Sequence, residues 1–476
     1  YEFFKKGIED GNNYYSLSQT RSRSAAFFAN ATYSYKGRYT VNGTARYEGT
    51  NRMGKSRSAR WLPTWNVSGA WNAHEEKFFS NLTSVLSHFT LKASYSLTAD
   101  RGPADVTNSQ AIITSYSPYR PFTSIQESGL YIKELENSEL TYEKKHELNI
   151  GADMGFLNNR INLAVDWYKR NNYDLIGIVN TQGAGGQILK YANIASMKSH
   201  GIEFTLSTKN IKTKDFNWNT DFIFSNAKNE VTDLKQNANV MELISGNGFA
   251  KQGYPVRGLF SIPFVGLDKD GIPVIINEKG EATSTDINFQ ERQNTGFLKY
   301  EGPTDPTITG SLGNMFSYKG FRLNLFITYS FGNVIRLNPV FKAYYSDLTA
   351  MTREFKNRWT LPGDEAKTNV PAILSKRMYD SNEDLKYAYN AYNYSTERIA
   401  KGDFIRLKEI SLAYDFPKAW INPLKLTDLS LKVQATNLFL IYADDKLNGQ
   451  DPEFFNAGGV ASPVPRQFTI TLRLGL

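Results

Sequence analysis

Cysteine is absent from the chain, which removes disulfides and thiolate chemistry. Histidine is scarce, with four copies: His74, His88, His146 and His200. Only His74 has carboxylates beside it, in HEEKFF. Glu75 is its immediate neighbour, not the i, i+4 partner that would share a helical metal face, so a short turn is expected there. No apolar run approaches the roughly 18 residues of a transmembrane helix. No nucleophile elbow, zinc spacing or nucleotide motif occurs, and GAGGQ (183–187) is followed by neither a helix start nor Lys-Ser/Thr. No block of one charge stands out. The 55 Lys and Arg are interleaved with 47 Asp and Glu, for a net +8, so nucleic acid is not an expected partner. The reading is of a non-enzyme: no catalytic residue, no cofactor, no metal site.

Aromatics are plentiful, with 28 Tyr and 30 Phe, and they fall in a pattern. In KGFRLNLFITYSFGN (319–333), Phe321, Leu323, Leu325, Ile327, Tyr329 and Phe331 alternate with Arg322, Asn324, Phe326, Thr328 and Ser330. That is period two: a strand with one apolar face ending in aromatics and one mostly polar face. About thirteen such stretches follow one another along the chain, each roughly ten residues, near what a tilted strand needs to cross a bilayer. They begin with AFFANATYSY and YTVNGTARYEG and end with LSLKVQATNLFLI and RQFTITLRLGL. The connections alternate. Short ones such as YKGR, LNNR and YKGF take turns with long ones near 100–140, 171–194, 230–307, 333–401 and 443–465. Short turns at one end and long loops at the other are the layout of an outer-membrane barrel. The expected fold is therefore all-β, a transmembrane antiparallel β-barrel, with Leu325 facing lipid and Arg322, Thr328 and Ser330 facing a wet lumen.

Several motifs then resemble SusC/RagA-type TonB-dependent transporters of Bacteroidetes-like bacteria, in that family's order. They are ARYEGTNRMGKSRSARWLPTWNVSGAWNAHEEKFF, LENSELTYEKKHELNIGADMGFLNNRINLAVDWY, SHGIEFTL, PTITGSLGNMFSYKGFRLNLFITYSFG, NRWTLPGDEAKTNVPAI and NLFLIYADDKLNGQDPEFFNAGGVASPVPRQFTITLRLGL. Glu48 and Thr50 stand where the family usually has Asp and Ser, Leu62 where it has Phe, and Leu476 where an aromatic usually ends the chain. The resemblance implies a 22-stranded barrel with an N-terminal plug and a lipoprotein lid. The thirteen stretches correspond to the last thirteen strands, with residues 1–476 as the C-terminal portion of the barrel domain. The plug, the TonB-contacting box and the early strands are not in this sequence. The N-terminal YEFFKKGIEDG carries no apolar signal segment. Both edges of a thirteen-stranded sheet would need partner strands to sit in lipid.

The function implied is TonB-dependent uptake of oligosaccharides or oligopeptides with a SusD-like surface lipoprotein. TonB would be engaged through the missing N-terminal part, and a dimer of transporter–lipoprotein pairs is compatible. The alternative is a SusC-like barrel serving as a structural subunit of a larger outer-membrane complex. Outer-membrane lipid and lipopolysaccharide are expected surroundings, with GTNRMGKSRSAR as a basic external loop. Candidate substrate or lid contacts are loop aromatics beside polar groups: Tyr116, Tyr119 and Arg120 in SYSPYRPFTSIQE, and Phe341, Tyr344, Tyr345 and Asp347 in VFKAYYSDLTAMTREFKNRW. DKDGIPVIINEKGE (268–281) lacks the spaced ligands of a calcium loop and is expected to be a hairpin. Asp444 and Asp445, adjacent in sequence, would point to opposite faces of a strand and make a poor acid–base pair.

Overall fold

A computed structural model describes residues 22–102, 111–116, 129–183, 189–246, 250–340, 351–454 and 465–475, with Glu2, Lys5, Lys6 and Pro463 as isolated positions. Thirteen strands form one antiparallel sheet in which neighbours in sequence are neighbours in space. They are β1 (Ser24–Tyr35), β2 (Tyr39–Thr50), β3 (Trp61–Asn72), β4 (Leu86–Asp100), β5 (Glu143–Phe156), β6 (Ile161–Asn180) and β7 (Leu189–Lys212). Then come β8 (Phe216–Leu234), β9 (Ile308–Tyr318), β10 (Phe321–Phe331), β11 (Phe404–Asp415), β12 (Asp428–Ala443) and β13 (Gln467–Gly475). The thirteen strands coincide with the thirteen alternating stretches. Three of the tight connections are made by residues in the left-handed region: Lys36 and Gly37 between β1 and β2, Lys319 and Gly320 between β9 and β10, and Leu157 to Asn159 between β5 and β6.

The pairing fixes which side chains share a face. Leu323, Leu325 and Ile327 lie opposite Phe316, Asn314 and Leu312 on β9, while Arg322 and Thr328 lie opposite Ser317 and Ser311. Apolar side chains therefore run in rows across the sheet on one side. Polar ones on the other side form cross-strand ion pairs: Lys92–Asp153 at 2.8 Å, Arg170–Glu147 at 3.1 Å and Arg322–Asp415 at 2.8 Å. At Gly310 a small residue makes room for a large ring crossing the strand. A side chain at Gly310 would collide with the Tyr329 ring, whose hydroxyl donates to the Ile223 carbonyl at 2.8 Å.

Strict alternation breaks in β11. Phe326 pairs with Glu409 and Ile327 with Leu407, which leaves Lys408 as a bulge. The extra residue lets Arg406 and Glu409, three apart in sequence, both lie on the polar face. Within the apolar face, Asn314 accepts hydrogen bonds from the Trp218 indole (2.9 Å) and the Thr220 hydroxyl (2.7 Å), so its carbonyl oxygen is satisfied there.

The expected loop over 171–194 is mostly ladder. β6 and β7 stay paired up to Asn180–Leu189, across an irregularity at Asn172–Leu175 where Asp174 is left-handed. Their connection is only 181–188. Alternation was the wrong guide here: once a hairpin rises beyond an apolar medium, no face has to be apolar, yet backbone pairing continues.

The largest fully buried side chains are elsewhere. They include Tyr142, Tyr389, Tyr392, Phe260, Leu243, Ile262 and Ile335, and none lies in the thirteen strands. The long connections after β8 and β10 build a compact layer. It holds α1 (Val240–Ser245), α2 (Leu385–Asn393) and three small sheets. These are Gly258–Ser261 paired with Lys299–Pro303; Phe264–Leu267, Pro273–Ile276 and Ala282–Thr283; and Val334–Arg336 paired with Ile399–Lys401. Val240, Leu243, Ile244, Phe260, Ile262, Ile275, Leu298 and Ala391 form its apolar centre.

Candidate functional site: the loop layer above the sheet

Three long connections meet in this layer, and the first two are sewn together by backbone bonds. Ile262 N–H donates to the Tyr394 carbonyl and Thr396 N–H to the Ile262 carbonyl, both at 3.0 Å. Ala372 N–H donates to Gly271 (3.0 Å), and a side chain at Gly271 would strike the Trp359 ring 2.5 Å away. The segment 268–281 forms the hairpin expected of it. The Asp268 carboxylate caps its turn, Oδ1 accepting from Asp270 N–H and Ile272 N–H at 2.9 Å. Among the described residues, no cluster of His, Asp and Glu is arranged to hold a metal.

Two arginines anchor the layer. Arg336 donates to the Phe260 and Ser395 carbonyls and to the Ser261 hydroxyl (3.2 Å), and lies over the Tyr394 ring. Burial pulls its pKa down to about 10, against the pull of Glu301. It stays a cation at neutral pH because carbonyl oxygens surround it. Arg398, 2% exposed, pairs with Glu354 and donates to the Asn338 carbonyl at 2.8 Å. Asn448 from the β12–β13 connection donates to the other oxygen of Glu354 at 2.8 Å. The third connection is thereby tied to the second. Arg406, on the polar face of β11, pairs with Asp451 and with Glu453 (3.2 Å), which fastens that connection to the sheet as well.

A cavity of about 590 Å³ opens beside Arg398. Glu354, Asn357, Arg358, Lys367, Lys446 and Asn448 line it with Tyr392. The Tyr392 ring is fully buried, and burial pushes its phenol well above the ordinary range, so it acts as a neutral hydroxyl. The Arg398 Nε and the Tyr392 hydroxyl are buried without a hydrogen-bond partner among the described residues. Arginine forks, amides and a phenol can bind polar ligands there, and Glu354, Asp364, Glu397 and Lys367 add charges of both signs to the wall. A second cavity, about 660 Å³, lies against β2, β3 and β4, with Thr44, Arg46, Glu48, Asn66, Thr98 and Arg101 in its wall. There Glu48 is shared between Arg46 and Arg101.

Of the residues expected from sequence, Tyr116 is described. It stands on the hairpin Ile112–Tyr116 with Gly129–Glu134, half exposed, with its ring edge-on to Tyr131 at 5.6 Å. Tyr119, Arg120, Phe341, Tyr344, Tyr345 and Asp347 lie outside the described residues, as does most of GAGGQ. The cavity residues were missed, although Asn357 and Arg358 open the quoted NRWTLPGDE motif. The basic loop GTNRMGKSRSAR is partly spoken for. Met53 is buried with Leu62 and Tyr142, and Lys55 pairs with Glu136 at 2.7 Å. His74 lies in the short connection after β3, its Nδ1 3.0 Å from the Phe89 carbonyl oxygen, with its ring 4.2 Å from that of His88, a neighbour its sequence position did not announce. Asp444 lies just past β12; one carboxylate oxygen caps a turn by accepting from Lys446 N–H, and the other accepts from Lys401 N–H on the strand Ile399–Lys401.

Residues 4–438 match a family model described as TonB dependent receptor-like, beta-barrel. The TonB-dependent receptor SusC of Bacteroides thetaiotaomicron is 26% identical, over the whole of this chain and 47% of its own length. TonB-dependent receptor P3 of Formosa agariphila is 25% identical over 90% of this chain and 41% of its own. Among solved structures, the RagAB peptide transporter is similar with a TM-score of 0.74 and 23% identity, over 96% of this chain and 48% of that one. That likeness is one of fold. This chain spans about half the length of the curated relatives it matches.

Proposed function

Because the chain belongs to the TonB-dependent receptor β-barrel family and is an outer-membrane protein, we propose that it forms much of the barrel and mouth of a nutrient importer. The cargo is an oligosaccharide or oligopeptide, and a SusD-like surface lipoprotein closes over the loop layer. TonB energises the step through parts of the protein outside this chain. The edges β1 and β13 have one neighbour each in the described sheet, and strands outside this chain complete the barrel in this reading.

The observation that carries the reading is the loop layer itself. Loops that only connect strands need no dry core. These bury Val240, Leu243, Ile244, Phe260, Ile262, Ile275 and Leu298 together and hold a polar cavity over a sheet whose inner face is lined with ion pairs. The donors there, Arg358, Arg398, Lys446 and Asn448, suit carboxylates and hydroxyls alike. The exposed Tyr116–Tyr131 pair offers a ring surface for a sugar or an aromatic side chain.

The test is uptake by cells carrying the whole protein and its neighbouring lipoprotein, using labelled oligosaccharide and oligopeptide pools in parallel. Import of one pool that is lost with the energy-coupling system is the expected result, and it names the cargo. A correctly folded protein that imports neither pool and does not co-purify with the lipoprotein would sink this reading in favour of a structural subunit.

A further inference from the structure

The apolar face of β6, β7 and β8 changes character at one level. Val165, Phe204 and Phe224 lie side by side in the ladder, and Trp167, Ile202 and Asn226 form the next row. The row after that is Lys169, His200 and Lys228, in direct register across the three strands. The face is fixed by the residue before Lys169: Tyr168 is buried against Gly201 on the polar side, whereas Lys169, His200 and Lys228 are all exposed. One row further out the charge is already cancelled, because Lys198 pairs with Glu230 at 3.0 Å beside Asn171. Among the described residues, neither Lys169 nor Lys228 has a carboxylate in ion-pair range.

The level is also telling. Lys169 is the ninth residue of β6 and Lys228 the thirteenth of β8, each counted from a short turn. Crossing the hydrocarbon takes about 9–11 residues of tilted strand. The row therefore emerges on the long-loop side just where hydrocarbon gives way to head groups, with the Trp167 indole one step deeper at an interfacial depth. Adjacent strands are about 4.8 Å apart, so three donors are spread over about 10 Å.

We propose that Lys169, His200 and Lys228 form an outward shelf that binds the phosphate groups of a phosphorylated glycolipid in the outer leaflet. Two ammonium groups supply charge. The imidazole between them supplies an N–H donor in either tautomer. A lipid is the occupant because the shelf rises directly from an apolar wall that already contacts acyl chains, so one molecule can satisfy both. The assignment rests on the outer-membrane placement and not on any cargo, so it stands or falls separately from the transport reading.

The test uses the full-length protein in nanodiscs of zwitterionic lipid doped with lipopolysaccharide, and counts retained glycolipid by native mass spectrometry. Lys169→Gln with Lys228→Gln should lower retention about 25-fold, at about fivefold per lysine. Adding His200→Gln should lower it further. Lys77→Gln with Lys214→Gln, at the short-turn end, should leave it unchanged. Chemically dephosphorylated lipopolysaccharide should bind the unaltered protein as weakly as intact lipopolysaccharide binds the double variant. That comparison decides the matter even if the Gln variants fail to fold. Equal retention of both glycolipids by the unaltered protein would overturn the proposal. So would a folded double variant that keeps its glycolipid, or one that loses a protein partner instead.

Discussion

The sheet and the loop layer solve the same folding problem in opposite ways. Each strand of the sheet satisfies its backbone through its neighbours and leaves both faces open: Phe468, Ile470 and Val433 are exposed on one side, ion pairs on the other. Its stability in place depends on the medium against its apolar face. The loop layer has little regular structure but carries its own interior, with Phe260, Ile262, Ile275, Tyr389 and Tyr392 fully buried. One region is well ordered and depends on its solvent. The other is irregular and self-sufficient. A long loop can therefore be a small domain in its own right.

The sharpest way to break the contrast is in the layer's centre. Phe260→Ala should cost about 3–5 kcal/mol of local stability. It should appear as lost hydrogen-exchange protection across 254–300 and 385–400, while the heat-modifiable migration of the barrel stays unchanged. Parallel loss of both would mean that the two regions fold as one unit.

The sheet should respond to the medium instead. Leu325→Arg, near the bilayer midplane, should cost about 2–4 kcal/mol in a membrane-refolding titration, and Thr328→Arg on the other face much less. Equal costs would reject the facing given by the β9–β10 register.

A smaller effect is expected at the start of α1. There the Asn239 side chain accepts from Glu242 N–H and the Glu242 carboxylate accepts from Asn239 N–H. Asn239→Ala should loosen the layer by about 1 kcal/mol and leave membrane refolding untouched.

The smallest concerns acid. Hydrogen bonds from Leu361 N–H and from the hydroxyl and N–H of Thr360 hold the Asp364 carboxyl below the usual carboxylate range. A depressed folded-state pKa means its contribution is fully present above about pH 4 and fades as pH falls through the folded value. Exchange at the Leu361 amide should therefore stay slow down to about pH 4 and quicken only in stronger acid. Quickening already near pH 6 would assign that protection to another group.

The same contrast explains what the sequence made legible. Period-two alternation is written wherever a strand separates lipid from water, so all thirteen sheet strands could be read, with Leu325 and Thr328 on opposite faces. It vanishes where a ladder continues beyond the bilayer, which is why 171–194 reads as a loop in the sequence although β6 and β7 stay paired through most of it. The loop core leaves no periodic trace. Phe260 and Ile275 come from short strands of four residues, Ile262 from an isolated bridge to Ser395 just past the first of them, and Ala391 joins them from more than a hundred residues away. The cavity fared likewise. Loop aromatics drew attention to Tyr116 and Tyr345, whereas Arg398, Glu354 and Asn448 converge only through tertiary pairing. Lys408 is a third case, since a bulge is invisible to strict alternation until Arg406 and Glu409 demand the same face.

Arg336 and Arg398 also set how the mouth can move. Arg336 holds the Phe260 and Ser395 carbonyls and Arg398 the Asn338 carbonyl and the Glu354 carboxylate, so the strand at Val334–Arg336 is coupled directly to Phe260 and Ser395. The layer should tilt like a hinged hatch, on one relaxation time, and not ripple loop by loop. A body gripping any single edge of it would then have leverage over the whole opening.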